Sequence, residues 1–107
     1  LKIIKNILVA LNLPNSFGMN INQLSELVIG PRGYRPSGGQ GKLLSFARVL
    51  CKRDVNLYLL DEPTSDLNKD LRDIVLNLIY ELSKNKFVLC ITHDLKCIRK
   101  EDNNLEL

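Results

Sequence analysis

Tryptophan is absent, and three tyrosines and three phenylalanines are the only aromatic residues. Any core must therefore rest on aliphatic side chains. The three cysteines, Cys51, Cys90 and Cys97, are odd in number and include no C-x-x-C pair, which argues against a disulfide framework or a zinc site. Each stands among apolar neighbours, where a free thiol packs as a small buried hydrophobe, and this usage fits a reducing compartment. No apolar stretch approaches the ~20 residues of a membrane span, and no secretory signal is visible. There is no long run of like charge, so the net charge of +3 reads as a solvated surface with some excess lysine, and no direct nucleic-acid contact is expected. The first residue is Leu1, not methionine, which suggests a fragment or a processed product. What is present suits one small domain or a piece of a larger one: 107 residues, 45% hydrophobic and 25% charged.

Ile4, Ile7, Leu8 and Leu11 recur at helical spacing over residues 1–12, and Pro14 and Asn15 are expected to end that helix. Asn20 and Gln23 form a capping pair for a short helix carrying Ile21, Leu24 and Leu27. Gly30, Pro31, Gly33, Pro36, Gly38, Gly39 and Gly41 then mark a loop. Residues 42–52 return to helical spacing, with Leu43, Phe46, Ala47 and Leu50 on one face. Leu57 to Leu60 is a short continuous apolar run that suits a strand buried on both faces of a parallel sheet. Residues 69–83 carry the clearest helical pattern, and Phe87 to Ile91 is a second strand-like run. A short helix around 94–100 and a polar tail with Leu105 and Leu107 follow. A long helical connection between the two strands makes them parallel. Ligands in such sheets bind beyond the carboxyl ends of the strands, which here deliver Asp61 and Glu62 from one strand and Thr92 and His93 from the next.

Three segments can carry chemistry. Ser37-Gly38-Gly39-Gln40-Gly41 lies directly before a helical pattern. Unpartnered N–H groups and the helix dipole favour an anion there, and glycines admit close approach of a phosphate. The plain alternative is a glycine-rich turn with Ser37 as a helix cap. Asp61 at the end of a strand can hold Mg²⁺ through oxygen and water, and Glu62 can orient or deprotonate a water. The alternative is a pair of solvated acids. His93, the only histidine, can donate to a phosphate oxygen or hold the attacking water, or it can be structural.

The order of these segments closely resembles the second half of an ATP-binding cassette ATPase domain over roughly residues 28–95. Pro36-Ser37-Gly38-Gly39-Gln40 resembles the family's signature motif. Leu57-Tyr58-Leu59-Leu60-Asp61 resembles its Walker B strand, Glu62 stands in the place of the catalytic glutamate, Ser65 to Asn68 resembles the D-loop, and His93 the switch histidine. Ala47-Arg48 matches the usual pair on the helix after the signature. The resemblance implies an α/β fold, part of the P-loop NTPase architecture, with a parallel sheet and flanking helices. Residues 1–52 would be a partial helical subdomain ending in the signature motif and its helix, and residues 53–107 the C-terminal part of the ATPase core. It further implies that Asp61 helps hold the Mg²⁺ of MgATP, that Glu62 polarises the hydrolytic water, and that His93 contacts the γ-phosphate. Ser37, Gly38 and Gly39 would touch an ATP bound mainly by a second ATP-binding domain in a head-to-tail pair, with Gln40 supporting the loop and Asn68 in the D-loop. The implied partners are that second domain and the transmembrane domains of a transporter, with the chain peripheral on the cytoplasmic side.

Some positions depart from the family pattern. Pro36 replaces the usual leucine, and Asn68 stands where aspartate is usual, although asparagine also caps the helix that follows. No G-x-x-x-x-G-K-[ST] phosphate loop occurs in the 107 residues, and the glutamine loop is missing too, so the chain alone is not expected to bind ATP tightly or to be active. Pro63-Thr64-Ser65 resembles transporters more than translation-factor members. Ile29-Gly30-Pro31-Arg32-Gly33 partly matches the exporter loop that touches the membrane domain, and Thr92-His93-Asp94 is commoner in importer-like cassettes. Two rival readings remain: an SMC-type DNA-repair ATPase, for which long coiled-coil heptads near the signature are expected, and a regulatory module that keeps the fold without catalysis.

Overall fold

The computed structural model describes residues 2–27, 30–52 and 54–99. Ile29 of the glycine-rich loop, residue 100 of the expected terminal helix, and Leu105 and Leu107 lie outside the described residues. Helices α1 (Lys2–Ala10), α2 (Leu13–Phe17) and α3 (Ile21–Ser25) come first, then α4 (Gly38–Leu50), strand β1 (Leu57–Asp61), α5 (Lys69–Ser83) and strand β2 (Phe87–Ile91). A single 3-10 turn, Leu95–Cys97, stands where a short helix is expected.

Pro14 and Asn15 do not end the first helix. The break comes earlier, at Asn12, which takes a left-handed conformation with φ 57°. Pro14 then sits in the first turn of α2, where a missing N–H is tolerated. Gly18, at φ 64°, ends α2 in the left-handed conformation that glycine adopts without strain. The Asn20–Gln23 capping box forms as expected.

Helix α4 also starts earlier than its apolar spacing suggests, at Gly38 rather than residue 42. Ser37 caps it: the Ser37 hydroxyl accepts from the Gln40 N–H at 3.2 Å, and the Gln40 side chain accepts from the Ser37 N–H at 3.0 Å. A capping box therefore draws Gly38, Gly39 and Gly41 into the helix despite their low propensity. Leu43, Phe46 and Ala47 of α4 are buried as their spacing predicts. They join Leu11, Leu13, Phe17 and Leu24 of the first helices and Tyr58, Leu60 and Val75 beyond them in one core cluster. Full burial of a leucine such as Leu43 contributes about 1.5–3 kcal/mol. Helix α4 is thus the bridge between the helical layer and the sheet.

The strands pair in parallel, from Leu57 opposite Phe87 to Asp61 opposite Ile91. Helix α5 makes the connection and packs on β2. This is the expected α/β arrangement. Tyr58 and Leu60 face the core, whereas Leu57, Leu59, Phe87, Leu89 and Ile91 are exposed. The expectation of burial on both faces is corrected on that point: among the described residues, one face of the sheet is covered and the other is bare. No disulfide joins the three cysteines, and each is half-buried rather than buried.

Candidate functional site

The parallel register sets β1 and β2 level at their carboxyl ends, and the backbone keeps pairing one residue past the ladder, where the Glu62 N–H donates to the Ile91 carbonyl at 2.8 Å. Glu62 then turns away from the strand with φ 45°, and Asp66 repeats the left-handed conformation at φ 63°. For residues with a Cβ this conformation costs about 1–2 kcal/mol each, so the loop needs strong local ties. The Glu62 carbonyl accepts from Ser65 N–H at 3.2 Å, from the Ser65 hydroxyl at 3.1 Å and from the Lys42 ammonium at 2.7 Å. Thr64, the one buried polar residue of the described core, donates to Asp94 Oδ2 at 3.4 Å.

This turn brings the two expected catalytic residues together. Glu62 Oε1 accepts from the His93 N–H at 3.1 Å and lies 3.8 Å from His93 Nε2. The other carboxylate oxygen has no hydrogen bond among the described residues. The Glu62 side chain is 32% exposed and the His93 side chain 100% exposed, so the imidazole is not a core group. Thr92 holds the segment beyond His93, its hydroxyl accepting from the Asp94 N–H at 2.9 Å. Cys97 Sγ lies 3.5 Å from the Thr64 hydroxyl and 3.7 Å from that of Thr92.

Asp61 ends β1 on the bare face, exposed, with no side-chain hydrogen bond or ion pair among the described residues. No cluster of three or more histidine, cysteine or acidic residues able to hold a metal occurs among them either. A free carboxylate suits Mg²⁺, which takes one or two protein oxygens and fills its shell with water and phosphate. The chain therefore offers one donor of the right chemistry rather than a closed metal site.

Ser37 caps α4 and Gly38 and Gly39 form its first turn, beside Asp66 at the other end of the 62–66 loop. The Gly38 and Gly39 N–H groups have no partners among the described residues, while the Gln40 and Gly41 N–H groups bond to Ser37. Two unpaired donors at a helix N-terminus can receive an anion. They border an open depression of about 410 Å³ lined by Ser16, Ser37, Gly39, Gln40, Asp66, Asn68 and Leu71. Gln40 is tightly tied: its amide donates to the Ser16 carbonyl at 2.8 Å, and its oxygen also accepts from the Tyr34 hydroxyl at 3.2 Å. Asn68 does cap α5, accepting from the Leu71 N–H at 3.0 Å.

Two further residues join this site: Asp66, inside the D-loop-like segment, and Lys42. A Cβ on Gly39 would stand 2.9 Å from the Asp66 carbonyl oxygen, so the helix and the loop meet backbone to backbone. The Asp66 side chain also packs near Gly38, placing a carboxylate beside the helix N-terminus. Lys42, read only as part of a helix, reaches Glu62 itself.

No protein-family profile matches the chain. Individual proteins do. It is 40% identical over 80 residues to an ATP-dependent lipid A-core flippase of Vibrio vulnificus, a match covering 75% of this chain and 14% of the flippase. It is 36% identical over 77 residues to a glutathione/L-cysteine transport system ATP-binding/permease protein of Haemophilus influenzae, covering 72% of this chain and 13% of that protein. A putative multidrug export ATP-binding/permease protein of Staphylococcus aureus is 34% identical over 88 residues, or 82% of this chain and 15% of that protein. With the motif order and the parallel α/β core, these matches define the class: the chain belongs to the ATP-binding cassette family and corresponds to part of a transporter's ATPase domain. It spans about a seventh of the length of these relatives, whose names share ATP and differ in cargo.

Proposed function

We propose that this chain supplies the signature, Walker B and switch elements of a transporter ATPase that hydrolyses ATP to drive transport across a membrane, of the exporter kind. Residues 1–52 act as part of the helical subdomain and residues 53–107 as part of the ATPase core. A phosphate-loop portion completes the domain and covers the bare sheet face. A second ATP-binding domain pairs head to tail against Ser37, Gly38 and Gly39, with Gln40 and Asn68 holding the loops around them. No helix among the described residues is long and apolar enough to cross a membrane. In this reading the chain is peripheral on the cytoplasmic side, docked on transmembrane partners.

The observation that carries the reading is the pairing of Glu62 with His93 across two parallel strands. The His93 N–H holds one oxygen of Glu62 and leaves the other free to take a proton from an attacking water. Phosphoryl transfer asks for such positioning and for stabilisation of charge, more than for covalent chemistry. The exposed His93 imidazole donates to a terminal phosphate oxygen of ATP. Asp61 would hold Mg²⁺, which would neutralise phosphate charge.

Glu62→Gln in the complete domain is the direct test, because it keeps the shape and removes the base. ATP binding should persist while turnover falls at least about 100-fold. Unchanged turnover would remove Glu62 from the mechanism.

A further inference from the structure

We infer that Lys42 is a positioning residue for Glu62, and that it ties the anion-receiving end of α4 to the catalytic carboxylate. The inference rests on the proposed role of Glu62 and adds a residue to it. Lys42 lies in α4, in the helix that begins at the Ser37 cap, and its half-buried side chain donates to the Glu62 carbonyl at 2.7 Å. A charged donor makes a shorter and stronger hydrogen bond than a neutral one. It is the shortest of the three bonds that this carbonyl accepts, the others coming from Ser65.

The location of the bond gives it consequence. Glu62 occupies a left-handed conformation that a glutamate does not hold without support. Its N–H is fixed to Ile91, and its carbonyl to Lys42 and Ser65. With both flanking peptides fixed, the Cα–Cβ direction is set, and from it the side chain reaches the His93 N–H with Oε1. Loss of the Lys42 bond leaves the carbonyl with only the two longer Ser65 bonds, so the turn loosens and the carboxylate shifts relative to His93. Three residues before Lys42, Gly39 touches the Asp66 carbonyl with no room for a side chain. Helix α4 therefore meets the 62–66 loop at two points, and a displacement of the helix by an anion at Ser37–Gly39 is felt at Glu62.

Lys42→Met removes the donor and keeps the aliphatic stem, Lys42→Arg restores a charged donor, and Lys42→Gln is the substitute where methionine unfolds the chain. Amide NMR on the chain itself reads the first consequence. The His93 amide proton should leave its wild-type position in Lys42→Met, in the same direction as in Glu62→Ala, and return in Lys42→Arg, with little change in the midpoint of thermal unfolding. A His93 amide unmoved by Lys42→Met would overturn the inference. In the ATP-hydrolysing complete domain, kcat should fall about tenfold or more with KM for MgATP within about twofold. Lys42→Met should add nothing further on a Glu62→Gln background, and an additive loss there would also overturn it. If the wild-type domain hydrolyses no ATP, the functional reading fails, and the amide signal alone decides the role of Lys42.

Discussion

His93 combines a fixed backbone with a free ring. Its N–H is held by Glu62 while its imidazole is fully exposed. His93→Ala removes no packed atoms, so stability to urea should change by less than about 0.5 kcal/mol. Turnover of the complete domain should fall nonetheless, and a variant that unfolds would return His93 to a structural role. The placement of Glu62 and His93 was legible in the sequence because each follows a strand-like apolar run, and parallel strands with a helical crossover deliver such residues to one edge; the roles expected of them came from the order of the motifs. Lys42 and Asp66 were not. A lysine early in a helix looks like any solvated lysine, and its contact with Glu62, 20 residues away, exists only once α4 packs beside the loop. Asp66 stood in a segment read for its D-loop resemblance, and nothing in that pattern announced a backbone contact with Gly39.

Helix α4 shows how local chemistry overrides composition. Its glycines read as loop, yet the reciprocal Ser37–Gln40 cap starts the helix ahead of them. Proline misled in the same way at Pro14, which opens α2 rather than closing α1. The cap at Asn20 was legible because both partners of the box are visible three positions apart, whereas the break at Asn12 depends on a left-handed conformation that no neighbouring residue signals. The α4 glycines themselves differ. Gly41 has nothing within 4 Å of an added Cβ, so Gly41→Ala should stabilise the chain by about 0.5–1 kcal/mol through helix propensity. Gly39→Ala gains the same propensity and meets a backbone oxygen at 2.9 Å, which outweighs it. A net loss of about 1–2 kcal/mol is expected from such overpacking. Denaturant melts of the two variants should move in opposite directions, and equal shifts would mean the α4–loop contact is loose.

The sheet is where the chain departs most from a self-sufficient fold. Apolar character on both faces of β1 and β2 was readable and pointed to a sheet buried on both sides. The chain covers only the side bearing Tyr58 and Leu60, because the first helices and α4 gather around that one core. Leu59 at 68% exposure and Phe87 at 79% stand on the bare face beside Leu57, Leu89 and Ile91. A contiguous apolar face with open strand edges favours association. Sedimentation velocity of the chain alone should therefore show concentration-dependent self-association that a Leu59→Lys, Phe87→Lys variant reduces. A strictly monomeric wild-type chain at high concentration would show that the face is hidden by another route.

In the proposed function this chain carries part of an ATPase site that a phosphate-loop portion completes. The most direct measurement is Mg²⁺-dependent ATP hydrolysis by the chain alone and mixed with a separately made phosphate-loop portion of the domain, with Glu62→Gln as the control. Hydrolysis that appears only in the mixture and disappears with Glu62→Gln is the predicted result. A folded complex of the two that hydrolyses no ATP would rule out the proposed function and favour a regulatory module that keeps the fold without its chemistry.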